Sequence, residues 1–363
     1  MELMQASEQW ASRPADERFL SLTDMAAHFR KVRERSREYV EVNTKVACIP
    51  SGDDESSKGL QFISAKHEHD PFNPTHWAFS QLAQLAGAPP SYLRTLPAPI
   101  VADAVNYGLK FNRDVSSIGF LLDQGDNSLR AATGPKYGRI WNQSILDTMV
   151  KQFGDGITGV WRVPGEFGVQ KEITKENTTL YAGDQDMFVF LADEENRIEN
   201  PNRRDGKSGT LARGFFIWNS EVGSASFGVS TFLFDFVCAN RIVWGAGNVK
   251  EFRMRHTSAA PERFLREITP ALLTYSKQST DSITTALIEA KKHKLDDVPA
   301  FLTKRFSARM SEAMANVHLL EEGRPVETVW DAVTAATAYA RSIPNQDNRV
   351  KIETMAGELF DMA

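Results

Sequence analysis

Apolar residues recur at helical spacing over residues 15–36, and again through THWAFSQLAQLAG (75–87), where Gly87 acts as a stop. Between these stretches, Tyr39–Ile49 and Leu60–Ala65 read as strands joined by the polar hairpin connection Gly-Asp-Asp-Glu-Ser-Ser-Lys-Gly. APPSYLRTLPAPIVADAVNYGL predicts a short helix, a proline break and a second helix. The pattern then changes to alternation. Ser116–Leu122 and Ser128–Thr133 are strands around Asp-Gln-Gly-Asp-Asn, a strong hairpin signal. YGRIWNQSILDTMVKQFGDG leads into a helix from about Asn142 that stops at Gly154. More strands are expected around 157–163, 178–183, 186–192, 213–220 and 224–230. From Pro261 to the end the pattern is helical, broken near Gly323-Arg324-Pro325 and at Pro344.

This succession predicts an α+β fold, with a central antiparallel β-sheet, packed helices and a helical C-terminal region. It divides into an N-terminal α/β elaboration (1–115), a β-rich core with an inserted helix and a basic hairpin (116–258), and the helical C-terminal region (259–363). There is no internal repeat and no low-complexity tail.

Composition narrows the class. The 363 residues are 42% hydrophobic and 25% charged, with a mean hydropathy of -0.36, ordinary for a soluble globular protein. No apolar run approaches the ~20 residues of a membrane helix, and MELMQASEQW lacks a signal peptide's apolar region, so no membrane partner is expected. Cys48 and Cys238 stand far apart, which suits a reducing cytoplasm and excludes a zinc ribbon or a disulfide framework. With a net charge of -5, any nucleic-acid role must rest on local patches rather than on bulk charge.

NRRDGKSGT (202–210) contains Gly-Lys-Ser, but a phosphate-binding loop needs glycine five positions earlier, where this chain has Pro201. What remains is a basic connection of roughly twenty residues between MFVFLAD (187–193) and RGFFIWNS (213–220), a length unusual for an inert turn. Arg203, Arg204, Lys207 and Arg213 in it read either as a phosphate-tracking hairpin or as a solvated loop. WGAGNVK lacks the third glycine of a dinucleotide motif, and no catalytic signature is present, so neither catalytic residues nor cofactors are expected. The weak metal candidates are His67, His69 and His76 in KHEHDPFNPTH. Asp184, Asp186, Asp193, Glu194 and Glu195 read as hairpin turns and a solvated strand end.

Aromatic and basic residues interleave in the centre: Lys136, Tyr137, Arg139 and Trp141; Arg213, Phe215 and Trp218; Arg241 and Trp244. Single strands are bound through such pairings, by stacking and by phosphate contact. For each tryptophan alone, a place in the core is the competing reading. In EFRMRHT, a strand puts Arg253 and Arg255 on one face, which points to an anion or to structural ion pairs.

VCANRIV (237–243) followed by RHT (255–257) resembles a phage- and plasmid-like family, domain of unknown function 932. GPKYGRIWNQSIL (134–146), IWNSEVGSAS (217–226) and TVWDAVTAATAYA are similar to further family features, so the resemblance spans most of 115–345. The residues carried over are Cys238, Asn240, Arg241, Arg255, His256 and Thr257. The resemblance implies mobile-element biology, and the order of elements is similar to that of phage single-strand annealing proteins of the Red-beta and RecT group. The expectation is a single-stranded DNA-binding, annealing protein of a phage or plasmid system. It acts as a homo-oligomer without a cofactor in the bacterial cytoplasm, through Lys136, Tyr137, Arg139, Arg203, Arg204, Lys207, Arg213, Trp218, Arg241, Arg253 and Arg255. The alternatives are a metal-dependent enzyme acting on nucleic acid or nucleotide, and a protein-binding adaptor.

Overall fold

A computed structural model describes residues 14–51, 59–66, 71–164, 172–200, 209–235, 241–242, 251–343, 346–360 and 362. The helix expected over 15–36 is shorter at its start. Ala15–Glu17 is a 3-10 turn, Arg18–Phe19 is a short strand (β1), and the helix proper is α1, Leu22–Arg35. Ser21 sets that start by accepting from the Asp24 N–H at 3.0 Å, replacing a partner the first turn lacks. Leu22, Met25, Ala26, Phe29 and Val32 then fall on one buried face.

The expected strand Tyr39–Ile49 is divided into β2 (Ser36–Val42) and β3 (Val46–Pro50) by a 3-10 turn at Asn43–Lys45. Asn43 fixes the break: its buried amide donates to the carbonyls of Leu109 at 2.7 Å and Val115 at 2.5 Å. β3 pairs antiparallel with β4 (Leu60–Ser64). Next come β5 (Asn73–Pro74), α2 (His76–Leu85), α3 (Pro90–Leu93) and α4 (Ala98–Phe111). The hairpin β6 (Ser117–Asp123) and β7 (Ser128–Thr133) completes a small sheet of order β2-β6-β7-β5, in which only β5 runs parallel to its neighbour. Strands from both sides of residue 116 therefore share this sheet, packed around Phe62, Phe79, Leu82, Val105 and Phe120.

After α5 (Asn142–Phe153) comes the large antiparallel sheet: β8 (Trp161–Arg162), β9 (Leu180–Ala182), β10 (Met187–Asp193), β11 (Ile198–Asn200), β12 (Gly209–Asn219), β13 (Phe227–Asp235), β14 (Arg241–Ile242) and β15 (Glu251–Met254). Its order is β1-β9-β10-β12-β13-β14, with β8 on β10, β11 on β12 and β15 on β13. The side-chain period of two sends Met187, Val189, Leu191, Phe215 and Ile217 into the core with α1 and α5. Phe188, Phe190, Phe216, Trp218 and Phe232 form an aromatic layer on the other face. Gly228 belongs to that layer's packing, because a Cβ there would stand 1.9 Å from the Trp218 ring.

Two expectations are corrected here. Asp193 is not a solvated strand end; it is fully buried at the end of β10. The connection before 213 is also shorter than expected, because Ile198–Asn200 pairs with Gly209–Leu211 and carries the ladder toward Asn200 and Gly209.

The C-terminal region is helical as predicted. α6 (Ala260–Arg263) runs through a π-helical turn at Phe264–Ile268 into α7 (Thr269–Lys277). It is followed by α8 (Asp281–Lys292), α9 (Val298–Thr303), α10 (Ala308–Glu322), α11 (Val329–Arg341) and α12 (Gln346–Phe360). Gly323, at φ +68, ends α10, and a capping box of Thr328 and Asp331 opens α11. Leu287, Phe301, Met314, Trp330, Val333 and Phe360 pack with Ile198, Leu211 and Leu233, which bonds this layer to the ends of the sheet strands. No described helix is long and apolar enough to cross a membrane.

Candidate nucleic-acid interface

The segment before α5 crosses the segment after β15, and the crossing needs glycine. A Cβ on Gly138 would lie 1.8 Å from the Thr257 carbonyl oxygen. With none present, the Gly138 N–H donates to the His256 carbonyl at 3.0 Å, and His256 Nδ1 lies 3.2 Å from the Gly138 carbonyl. This brings Tyr137 onto His256 with ring centroids 4.8 Å apart at 21°. The Tyr137 hydroxyl donates to the Ser220 carbonyl at 2.9 Å, tying the crossing to the turn between β12 and β13.

The stack continues. The Arg139 guanidinium lies 5.1 Å from the Tyr137 ring centre and 5.7 Å from that of Trp141, and Arg33 of α1 covers Trp141 at 4.0 Å. Arginines are thus interleaved with rings in the order Arg33, Trp141, Arg139, Tyr137, His256. Arg139 itself is buried and paired with Glu38 at 2.7 Å. Its charge is therefore spent on holding the ladder, whereas Arg33, Trp141, Tyr137 and His256 keep partial exposure.

A buried polar set supports the ladder from beneath. Glu221 accepts from the first N–H of α5, on Asn142, at 2.8 Å, and from Arg130 Nη2 at 3.0 Å. A carboxylate at a helix start satisfies an orphan donor and complements the dipole. Asn219 donates from Nδ2 to Asn142 Oδ1 at 2.7 Å and to the Ile140 carbonyl at 2.8 Å. The start of α5 and the entry to it are thereby fixed relative to the sheet.

Burial holds the Tyr137 phenol well above its ordinary pKa, so it stays protonated. Burial, reinforced by the nearby Arg139 charge, lowers His256 to about 4, so its ring is neutral at pH 7. Neither group changes charge near neutrality. The arrangement offers stacking faces and fixed cations rather than proton transfer.

The structure brings together Lys136, Tyr137, Arg139, Arg255, His256 and Thr257 around this crossing, with Lys136, Arg255 and Thr257 exposed. Arg253 is exposed on β15 and lies 5.6 Å from the Trp218 ring centre. Trp218 is not a stacking platform. It is 2% exposed within the aromatic layer, stacked on Phe216. Arg213 is likewise not on a hairpin surface. It is 3% exposed, paired with Asp193 at 2.8 Å, and donates to the Tyr275, Ser276 and Gln278 carbonyls at the end of α7. The Arg241 backbone forms β14. Arg203, Arg204, Lys207, Cys238, Asn240, His67 and His69 lie outside the described residues. His76 opens α2 beside Arg94, and among the described residues no group of three or more His, Cys, Asp or Glu side chains is arranged to hold a metal.

Sequence patterns do not single out Arg33, Glu38, Arg130, Asn142, Asn219 or Glu221. Arg33 reads as one of many cations on a solvated helix face, and Asn219 and Glu221 as part of a turn. The one available signal was the recurrence of polar residues directly after the apolar run GFFIW.

The family model described as a domain of unknown function (DUF932) matches residues 166–357, which contain β9 to β15 and the helices through most of α12. Neither a curated protein nor a solved structure matches the chain.

Proposed function

This chain belongs to the DUF932 family, with just over half of its length inside the match, and we propose that it binds single-stranded nucleic acid without making or breaking bonds. The observation that carries this is the ladder of Arg33, Trp141, Arg139, Tyr137 and His256, flanked by exposed Lys136 and Arg255. The Trp141 and Tyr137 rings are filled on both faces within the ladder, so bases stack on its partly exposed ends, Arg33 and His256. Each contact contributes ~1–3 kcal/mol, while Lys136, Arg253 and Arg255 meet phosphates. Arg139 and Glu38 position the rings. A local patch of this kind operates in a chain of net charge -5 because only the charges near the strand act on it. Self-association, strand annealing and a phage or plasmid recombination setting, implied by the sequence resemblance, belong to the same proposal.

Anisotropy of a labelled single-stranded oligonucleotide, titrated with the full chain at rising salt, tests it. Binding that weakens steadily with salt and is abolished by the double reversal Lys136→Glu/Arg255→Glu is the expected result, since phosphate contact releases counterions. No affinity at low salt, or affinity untouched by the reversal, rejects the proposal.

A further inference from the structure

α4 (Ala98–Phe111) is apolar on nearly every side. Ala98, Val101, Ala102, Val105 and Leu109 are buried and make its inner face, against β3. Asn106 is also engaged: its side chain accepts from the Cys48 N–H at 2.7 Å and donates to the Cys48 carbonyl at 2.9 Å. The opposite face carries Ile100, Tyr107 and Phe111, respectively 53%, 68% and 57% exposed, with Ala104 between them. Positions 100, 104, 107 and 111 follow the 4-3-4 spacing of a helix–helix seam. A helix apolar all round is a buried helix, and here one side has nothing of the described chain over it.

We infer that this face is a two-fold seam between two copies of the chain, with α4 packed antiparallel on itself. Reversing the helix against its own copy sets Ile100 opposite Phe111 of the partner subunit and Ala104 opposite Tyr107 of the partner subunit, an aliphatic residue against an aromatic one each time. The same register brings Asp103 beside Lys110 of the partner subunit, and the two-fold repeats the pair. Both side chains are exposed, and neither has an ion-pair partner among the described residues. A parallel two-fold puts Asp103 of one copy and Lys110 of the other on opposite flanks of the seam and loses the pair. One acid and one base beside the stripe match a second copy, whereas a phosphate polymer or an anionic lipid surface calls for a rim of cations. The seam gives a surface to the self-association in the proposed function and rests on that reading only there, since it needs no nucleic acid.

Sedimentation velocity over a concentration series, on the full chain without nucleic acid, reads the association directly. Asp103→Lys and Lys110→Asp are each expected to weaken it about tenfold, because exposed pairs are individually weak and the two-fold doubles them. The double variant Asp103→Lys/Lys110→Asp restores wild-type association, and Ile100→Glu abolishes it. A wild-type monomer at every concentration overturns the seam. So does association that survives Ile100→Glu, or a double variant no better than the singles. Circular dichroism on each variant separates lost association from lost folding, and oligonucleotide binding by the same variants reports on strand binding alone.

Discussion

Arg213 on β12 and Arg255 just past β15 start from similar sequence surroundings, each a cation among strand-forming apolar residues, and meet opposite environments. Around Arg213, Asp193 from the neighbouring strand takes one edge of the guanidinium and three carbonyls at the end of α7 take the rest. The rings of Trp161 and Tyr275 lie 5.4 and 5.9 Å away and complete the enclosure. Arg255 and Lys136 instead stay in water at the edge of a glycine-permitted crossing. A cation in mid-strand, under a helix terminus, is drawn in and needs a full set of partners to offset its desolvation. One beyond the strand end keeps its hydration and is available to a ligand. The first kind bolts the sheet to the C-terminal helices; the second can recognise something.

The largest expected effect lies at the bolt. Arg213→Met leaves the fully buried Asp193 carboxylate without its cation, which costs about 3–5 kcal/mol in chemical denaturation. Arg213→Met/Asp193→Asn recovers part of that loss. If Arg213→Met changes stability by less than a surface substitution does, the bolt and the exposed cations are not different in kind. Next in size is the crossing itself. Gly138→Ala must push the Thr257 carbonyl away from a 1.8 Å overlap, and is expected to cost about 2 kcal/mol, the range of strained and overpacked sites. It weakens strand binding as well, by separating Tyr137 from His256. Alanine here with both stability and binding preserved would falsify the close approach.

His256 sharpens the contrast through pH. Its folded pKa, about 4, lies below the ordinary value of 6.5. Between those values the unfolded chain binds a proton that the folded chain refuses, so the stability linked to this group is complete above pH 6.5 and falls as pH drops toward 4. At pH 5 the loss is about 2 kcal/mol relative to neutral pH. His256→Gln removes that component, so the difference between the two stability–pH curves must close on acidification. Parallel curves would mean that burial at the crossing does not hold His256 neutral.

Much of this architecture was legible because period and punctuation agree. The hairpin β6–β7, the stop of α5 at Gly154 and the break of α10 at Gly323 are local events, written in residues next to one another. The site was legible only in part. Tyr137, Arg139 and Trp141 are consecutive enough to be noticed as an aromatic–basic run, but Arg33 arrives from a helix more than a hundred residues earlier. Asp193 and Arg213 were misplaced for the same reason. Each reads as polar and therefore solvated, and only the pairing of β10 with β12 brings them into register as partners. The two-residue spacing of Arg253 and Arg255 put them on one face of a strand; both are exposed, Arg253 on β15 and Arg255 just past its end.

The smallest effect on stability should accompany the clearest effect on binding. Lys136→Ala and Arg255→Ala remove exposed side chains that support no described core contact, so the denaturation midpoint is expected to stay in place. For a bound single strand, each lost phosphate contact lowers the slope of log affinity against log salt by about 0.7. Arg213→Met does the reverse, costing stability while leaving that slope alone, when binding is measured where the variant is folded. The two kinds of cation are then separated by two instruments that need not agree. A slope that falls for Arg213→Met and not for Lys136→Ala reverses the assignment and moves the strand to the end of α7.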